Sequence, residues 1–163
     1  MVNEQISQKE IDERVAILKR WKILLQQQRD KFVEYLTLLE KQESSIQSEN
    51  TEALMAQTEM EQQVLLNISN LRKVISPLEK LYSTKTPNFK IDNNNLKIPQ
   101  LQAELESLQK KVLIQNNKNR ELLKNHMIKI RNQIQSIKNP YRNNRSVYSS
   151  QLESTSKFVD VNV

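Results

Sequence analysis

The side chains of this sequence that could do chemistry are apolar and amide groups, and their spacing suits binding rather than catalysis. Between residues 100 and 138, large apolar residues recur at steps of three and four. Side chains at this spacing lie along one face of an α-helix, where they can pack against another helix. The candidate residues for binding another chain are Leu105, Leu108, Val112, Asn116, Asn119, Leu123, Met127, Ile130 and Ile134. The sequence therefore predicts a face that binds a helix of another protein.

The two asparagines in this face have two interpretations, and the sequence leaves both open. A buried Asn costs stability unless it is hydrogen-bonded, and it is sometimes retained because it fixes register or partner choice. Asn116 and Asn119 could therefore form a polar clasp for a partner helix. Alternatively, the face is exposed to solvent at these two positions.

Catalytic and metal-binding chemistry has little support in the composition. The chain has no glycine, no cysteine and one histidine, His126. Without glycine there is no phosphate-cradling loop, and without cysteine there is neither a disulfide nor a thiolate metal site. A single histidine excludes a histidine cluster and disfavours a Ser-His-Asp triad. We therefore expect no enzyme activity, catalytic residue, metal, cofactor or small-molecule substrate.

Three long helices are predicted to position the binding face. Helix 1 should run from about Ser7 to about Ser48, and its two lines of large residues, roughly 100° apart, indicate contact with two neighbours. The polar stretch 43–52, with Asn50 as an N-cap, should turn the chain back into an antiparallel second helix. A kink or short break is expected at Ile75–Pro77, because proline cannot donate the backbone hydrogen bond there.

The predicted fold class is all-α. We expect an elongated three-helix bundle, made of a long antiparallel helical hairpin and a third long helix, with a flexible C-terminal tail. The hairpin occupies residues 1–82 and is followed by a linker at residues 83–99. Residues 100–138 form the long amphipathic helix, which is the expected substrate-binding element, and residues 139–163 form the tail.

Charge is divided unevenly between the two halves of the chain. Residues 1–82 carry 11 Lys/Arg against 13 Asp/Glu, whereas residues 83–163 carry 14 against 6. The basic half could attract nucleic acid, anionic lipid or an acidic protein, or it could be a solvated helix face. Nucleic acid is not expected as a partner, because the stacking aromatics and glycine-rich loops of RNA-binding modules are missing.

The sequence also predicts a cytoplasmic location. No apolar run approaches the roughly 20 residues that a bilayer span needs, so no membrane insertion is expected. The first residues, 1–13, are too polar for a signal peptide. A chain without cysteine is also suited to a reducing compartment.

Several motifs occur in an order and at a spacing that resemble one known family. They are Leu24-Leu25, Phe32, Leu36-x-x-Leu39, Ser48-Glu49-Asn50, Ala53-Leu54, Val64-Leu65-Leu66-x-Ile68, Leu71-Arg72 and Gln115-Asn116-Asn117-x-Asn119-x-Glu121-Leu122-Leu123. The tail adds Tyr148-Ser149-Ser150 and Phe158-Val159-Asp160. Together they resemble the FlgN family of flagellar export chaperones over most of residues 10–160.

This resemblance implies a cytosolic chaperone for hook-associated proteins, the subunits of the hook–filament junction. Such a chaperone binds the terminal helices of its substrate, prevents premature assembly and delivers the substrate to the flagellar type III export gate. For docking on the gate we expect Tyr148, with Tyr141 second, because an exposed aromatic residue is a common anchor for a shallow pocket.

An alternative function does not depend on this resemblance. The same apolar face could drive homo-oligomerisation in a structural coiled-coil protein or tether. The sequence leaves open whether the free chain is a monomer or a dimer.

Overall fold

The computed structural model describes residues 7–85 and 97–138, and this part of the chain consists of three long helices without a strand. Helix α1 spans Gln8–Gln47, α2 spans Thr51–Lys85 and α3 spans Ile98–Lys138. The prediction of an all-α bundle built from three helices is confirmed.

Helix α1 begins and ends close to the predicted residues. Its N-cap is Ser7, whose hydroxyl oxygen accepts a hydrogen bond from the Glu10 backbone N–H at 3.3 Å. Its C-cap is Ser48, whose backbone N–H donates to the Ser44 carbonyl oxygen. Serine at the N-cap satisfies one of the backbone donors that the first turn of a helix leaves unpaired.

The reversal between α1 and α2 needs only three residues. The Asn50 N–H donates to the Ser45 carbonyl oxygen at 2.9 Å and the Glu49 N–H to the Ile46 carbonyl oxygen at 3.1 Å, which is a Schellman motif. Glu49 has a φ of 55°, a region that glycine enters freely and other residues enter at a cost of roughly 1–2 kcal/mol. Asn50 then caps α2, because its Oδ1 accepts from the Ala53 N–H at 3.1 Å. The predicted N-cap at Asn50 is confirmed.

The sequence predicted a kink or a short break at Ile75–Pro77. Helix α2 continues through Pro77, so a break is wrong there. A proline inside a helix removes one backbone hydrogen bond and costs about 3 kcal/mol. Packing on both sides of Pro77 offsets that cost. Ile75 is buried in the core, and the Tyr82 ring lies against the Trp21 ring with 5.4 Å between centroids.

Helix α1 packs against both other helices, as its two lines of large residues predicted. One core cluster combines residues from all three helices: Leu18, Trp21, Leu25, Ile75, Ile98, Leu101 and Leu105. A second cluster does the same: Tyr35, Leu39, Val64 and Val112. Early residues of α1 meet late residues of α2 and early residues of α3. Helix α2 is therefore antiparallel to α1, and α3 runs parallel to α1 within these clusters.

Residue contacts divide the chain into two compact units, Met1–Leu122 and Leu123–Val163. The first unit contains α1, α2 and the beginning of α3, and the described part of the second is the end of α3, residues 123–138. No helix within the described residues combines the length and the apolar character that a bilayer span requires. The predicted tail and residues 86–96 of the predicted linker lie outside the described residues.

Candidate partner-binding face of helix α3

The predicted substrate-binding residues fall into two groups that differ in burial. Leu105, Val112 and Asn119 are buried, and Leu108 and Asn116 are half-buried. All five belong to the first unit. Leu105 packs in the first core cluster and Val112 in the second. These positions are occupied by the chain's own hairpin in this structure, so they are not open to a partner.

Asn119 uses its amide group to hold α3 on α1. Its Nδ2 donates to the Leu39 carbonyl oxygen at 2.8 Å, and its Oδ1 accepts from Gln115 Nε2 at 3.0 Å. Only 6% of the Asn119 surface is exposed, so these two hydrogen bonds replace the ones that its amide group would make to water. The interpretation that the face is solvent-exposed here is therefore wrong for Asn119.

Asn116 joins a polar network that connects all three helices. Its Nδ2 donates to the Tyr35 hydroxyl oxygen at 3.1 Å. The Tyr35 hydroxyl donates in turn to Glu61 Oε1 at 2.9 Å, and Gln42 Nε2 donates to Glu61 Oε2 at 2.7 Å. We call Gln115, Asn116 and Asn119 the amide clasp. The amide clasp binds helix α1 of the same chain, whereas the clasp expected from the sequence was for a helix of a partner.

Tyr35 lies at the centre of this network and remains a hydrogen-bond donor over a wide pH range. Burial of its side chain, followed by the hydrogen bond to the Glu61 carboxylate, raises the pKa of Tyr35 to about 12. Both causes favour the neutral phenol, because a phenolate would be poorly solvated and would face a carboxylate. The group therefore acts as a fixed structural link between α1, α2 and α3.

Glu43 provides a second link between α1 and α3, closer to the hairpin turn. Its carboxylate accepts from Lys118 Nζ at 2.7 Å, from Gln115 Nε2 at 2.5 Å and from Gln47 Nε2 at 3.2 Å. The Lys118 ammonium and then the Gln115 amide hold the pKa of Glu43 below its usual value. Exposed ion pairs contribute little stability singly, so this link mainly fixes the register of α3 on α1.

Tyr35, Gln42 and Glu61 were not among the predicted site residues. The sequence of helix α2 contains a signal for part of the network. The positions that the three-and-four spacing assigns to its buried face are Leu54, Gln57, Glu61 and Val64. Two polar residues thus take positions that the pattern assigns to the buried face. Polar groups at such positions need partners in the core, and Glu61 finds two.

An open cleft of about 640 Å³ lies on the first unit. Apolar side chains of α1, among them Trp21 and Phe32, line it together with Arg72 of α2 and Gln109 of α3. The Trp21 Nε1 atom is buried and has no hydrogen-bond partner among the described residues. The lining is thus a mixture of aromatic, aliphatic, amide and charged groups.

The remaining predicted residues lie in the second unit and are exposed. Leu123 is 40% exposed, Met127 64%, Ile130 49% and Ile134 47%. Ile137 continues the same spacing and is 74% exposed. We call Leu123, Met127, Ile130, Ile134 and Ile137 the exposed stripe. Contiguous apolar side chains in solvent are typical of an interaction surface.

Cationic residues flank the exposed stripe along one side. Lys124, Arg131 and Lys138 follow one another at intervals of seven residues, and all three are exposed. Residues at this interval lie almost in line along a helix, with a drift of about 20° per repeat. We call these three residues the cation row. Residues 122–138 contain no Asp or Glu.

Of the other residues considered in the sequence analysis, only some lie in the part of the chain that the structure describes. Tyr148 and Tyr141, predicted to dock on the export gate, lie outside it. His126 is half-buried on α3. Within residues 7–85 and 97–138, no three His, Cys, Asp or Glu side chains come together as a metal site would require.

Comparison with known proteins gives one relative. The chain is 32% identical over 138 residues to a protein of Treponema pallidum (strain Nichols) described as an uncharacterized protein, and the match covers 85% of this chain and 86% of the relative. No family model matches the chain, and no solved structure gives a significant match.

Proposed function

The chain belongs to the same protein family as the uncharacterized Treponema pallidum protein, and we propose that it is a cytoplasmic export chaperone without enzymatic activity. It binds an amphipathic helix of another protein on the exposed stripe of α3. Binding of this kind, in which the apolar side of one helix packs against another, uses anchors spaced at three and four residues.

The exposed stripe is the observation that carries this proposal. Five large apolar side chains in one helical line, each at least 40% exposed, favour a partner that would remove them from water. The amide clasp and the residues packed on α1 have partners within the chain. The proposed substrate contacts are therefore Leu123, Met127, Ile130 and Ile134 of the nine candidate residues, together with Ile137.

The energy available from the stripe limits what the stripe can do alone. Covering the exposed parts of five such side chains yields roughly 4–8 kcal/mol before the costs of association. A micromolar complex needs about 8 kcal/mol after those costs. Useful affinity therefore requires contacts beside the stripe, such as polar or charged pairs at its edges.

The motifs that resemble the FlgN family support a particular kind of partner. By that resemblance the bound helix belongs to a hook-associated protein, and the chaperone keeps it from assembling before export. Delivery to the flagellar type III export gate, with Tyr148 and secondarily Tyr141 as docking residues, is part of the same proposal.

Affinity capture from the native cytoplasm tests the proposal, with the full chain as bait and the recovered proteins identified by mass. We expect hook-associated proteins with the wild type and their loss with Leu123→Asp, because a carboxylate in the stripe is costly to bury. Ile128→Asp is the matched control, since Ile128 is a 49% exposed residue of the same segment on the other side of the helix. Equal recovery with all three baits would contradict the assignment of the stripe.

Light scattering on the purified chain distinguishes the alternative function. The proposal predicts that the chain is a monomer, or that it is an oligomer which dissociates when substrate binds. A stable dimer that ignores hook-associated proteins would favour a structural coiled coil held together by the same stripe.

A further inference from the structure

The cation row gives the exposed stripe a charged edge on one side. In a pair of packed helices, residues that flank the apolar seam lie close to the flanking residues of the other helix, and their charges set partner choice and orientation. Lys124, Arg131 and Lys138 occupy one such flanking position in three successive repeats. The equivalent positions on the opposite flank, His126 and Gln133, form no corresponding row of Lys or Arg.

Two cations of α3 in the first unit have carboxylates of the same chain beside them. Lys110, which lies two repeats before Lys124, is paired with Glu106 at 3.0 Å, and Lys118 is paired with Glu43 at 2.7 Å. Glu121 lies three residues before Lys124 on the same helix, within the i,i+3 distance of a helical pair. Arg131 and Lys138 have no Asp or Glu within seven residues of them along the sequence. Carboxylates to match Arg131 and Lys138 must therefore come from elsewhere.

We infer that the helix bound on the exposed stripe is acidic, with Asp or Glu at seven-residue intervals along the edge that meets Lys124, Arg131 and Lys138. This inference rests on the proposed function and names the chemistry of the partner at the same surface. Exposed pairs of this kind contribute modestly one by one, but three in a row distinguish an acidic partner from neutral or basic ones. They also supply contacts that the stripe alone lacks.

A second copy of α3 does not provide this match. If two copies packed antiparallel, the cation rows would face each other and repel. If they packed parallel, each row would face the His126 and Gln133 flank of the other copy and gain no carboxylate. Charge complementarity therefore favours a different, acidic helix over self-association.

An anionic membrane surface is a second possible class of partner, and the residue pattern favours it less. Helices that lie on membranes carry cations across their polar side and bulky aromatic residues among the apolar ones. Residues 123–138 contain no Trp, Phe or Tyr, and three of their four Lys/Arg residues stand in the single row. Vesicles are accordingly an alternative to be tested against the acidic helix.

The test uses the full chain and three fluorescent peptides of about three heptads with the same Leu/Ile stripe. One peptide has Glu at the flanking positions, one has Gln and one has Lys. Binding is measured by fluorescence anisotropy at about 20 and about 200 mM salt, since screening weakens exposed pairs. We expect the Glu peptide to bind roughly tenfold more tightly than the Gln peptide at low salt, with a smaller difference at high salt.

Charge reversal on the protein provides the matched comparison. The variant Lys124→Glu/Arg131→Glu/Lys138→Glu should prefer the Lys peptide. The control Lys19→Glu/Lys41→Glu/Lys73→Glu changes net charge equally at exposed residues of α1 and α2 and should keep the wild-type preference. Leu123→Asp should weaken the binding of every peptide, because it damages the stripe that all of them share.

The outcomes separate this inference from the proposed function. The inference of an acidic partner would be overturned if the three peptides bound equally. It would also be overturned if the cation-row variant and the control variant preferred the same peptide. In either case the stripe would remain a binding surface. If vesicles of anionic phosphatidylglycerol bind through the cation row and the Glu peptide does not, the inference is also overturned. Failure of the proposed function is instead marked by unchanged capture of cytoplasmic partners by Leu123→Asp.

Discussion

The two parts of helix α3 share one sequence pattern but differ in what covers it. From Leu101 to Asn119 the face packs on α1 and is closed by the amide clasp. From Leu123 to Ile137 a face of the same spacing is exposed. Apolar periodicity therefore identifies the face of a helix that can be buried, but it does not say whether the chain itself or a partner buries it.

The polar residues in the pattern separate the two parts. Asn116 and Asn119 interrupt the packed part, and each has a hydrogen-bond partner on α1. The exposed stripe has no such interruption. A buried amide is stable only opposite a group placed to receive it, and a chain can build that group into its own neighbouring helix. The amides thus mark the part of the helix that is fixed to its own chain.

The largest expected effect is on stability and compares one residue from each part. Leu105→Ala should lower the free energy of unfolding by about 3 kcal/mol, because it leaves a cavity among buried side chains. Ile134→Ala should change it by less than about 0.5 kcal/mol, because Ile134 is nearly half exposed and Ala favours helix. Urea denaturation measures both values, and similar losses would show that the two parts are packed alike.

The fold was accessible from sequence because its signals are local. Ser7 and Asn50 cap helices in ways that their residue type dictates, and two lines of large residues on α1 predicted its two neighbours. Of the kink or short break expected at Pro77, the break is wrong, because a local cost of about 3 kcal/mol can be offset by core packing around the proline. Packing of this kind depends on residues far away in the sequence.

The candidate site was only partly accessible from sequence. Five of the nine predicted residues lie in the first unit and four in the second. For Asn116 and Asn119 the sequence left open a clasp for a partner helix or exposure to solvent, and both instead bond to α1. Which polar groups meet across helices depends on register, and register follows from three-dimensional packing rather than from periodicity. The Tyr35 hydroxyl reaches Glu61 and Asn116 across 26 and 81 residues of sequence, a link that no local pattern contains.

A second, smaller effect tests the amide clasp itself. Asn119→Ala should cost about 1–2 kcal/mol of unfolding free energy, since it removes a buried hydrogen bond that joins α3 to the Leu39 carbonyl oxygen. Asn125→Ala is the matched change in the exposed part and should alter stability by less than about 0.5 kcal/mol. An equal effect of the two changes would mean that the clasp does not distinguish the parts of α3.

A further effect concerns pH and the network behind the clasp. Because the pKa of Tyr35 is raised from 10.0 to about 12 in the folded chain, its contribution is complete below pH 10 and is lost as the pH rises towards 12. Between these values the wild type should lose more stability than Tyr35→Phe, which has no hydroxyl to titrate. Parallel urea denaturation at several pH values measures this difference.

Ultraviolet difference absorbance gives a direct reading of the same group. Subtracting the titration of Tyr35→Phe from that of the wild type isolates Tyr35 from the other three tyrosines. Glu61→Gln should lower its apparent pKa, because the carboxylate is a cause of the upward shift second only to burial. A Tyr35 that titrates near pH 10 in the wild type would show that α2 and α3 do not enclose it. The packed part of α3 would then be as open as the exposed stripe, and the distinction between the two parts would fail.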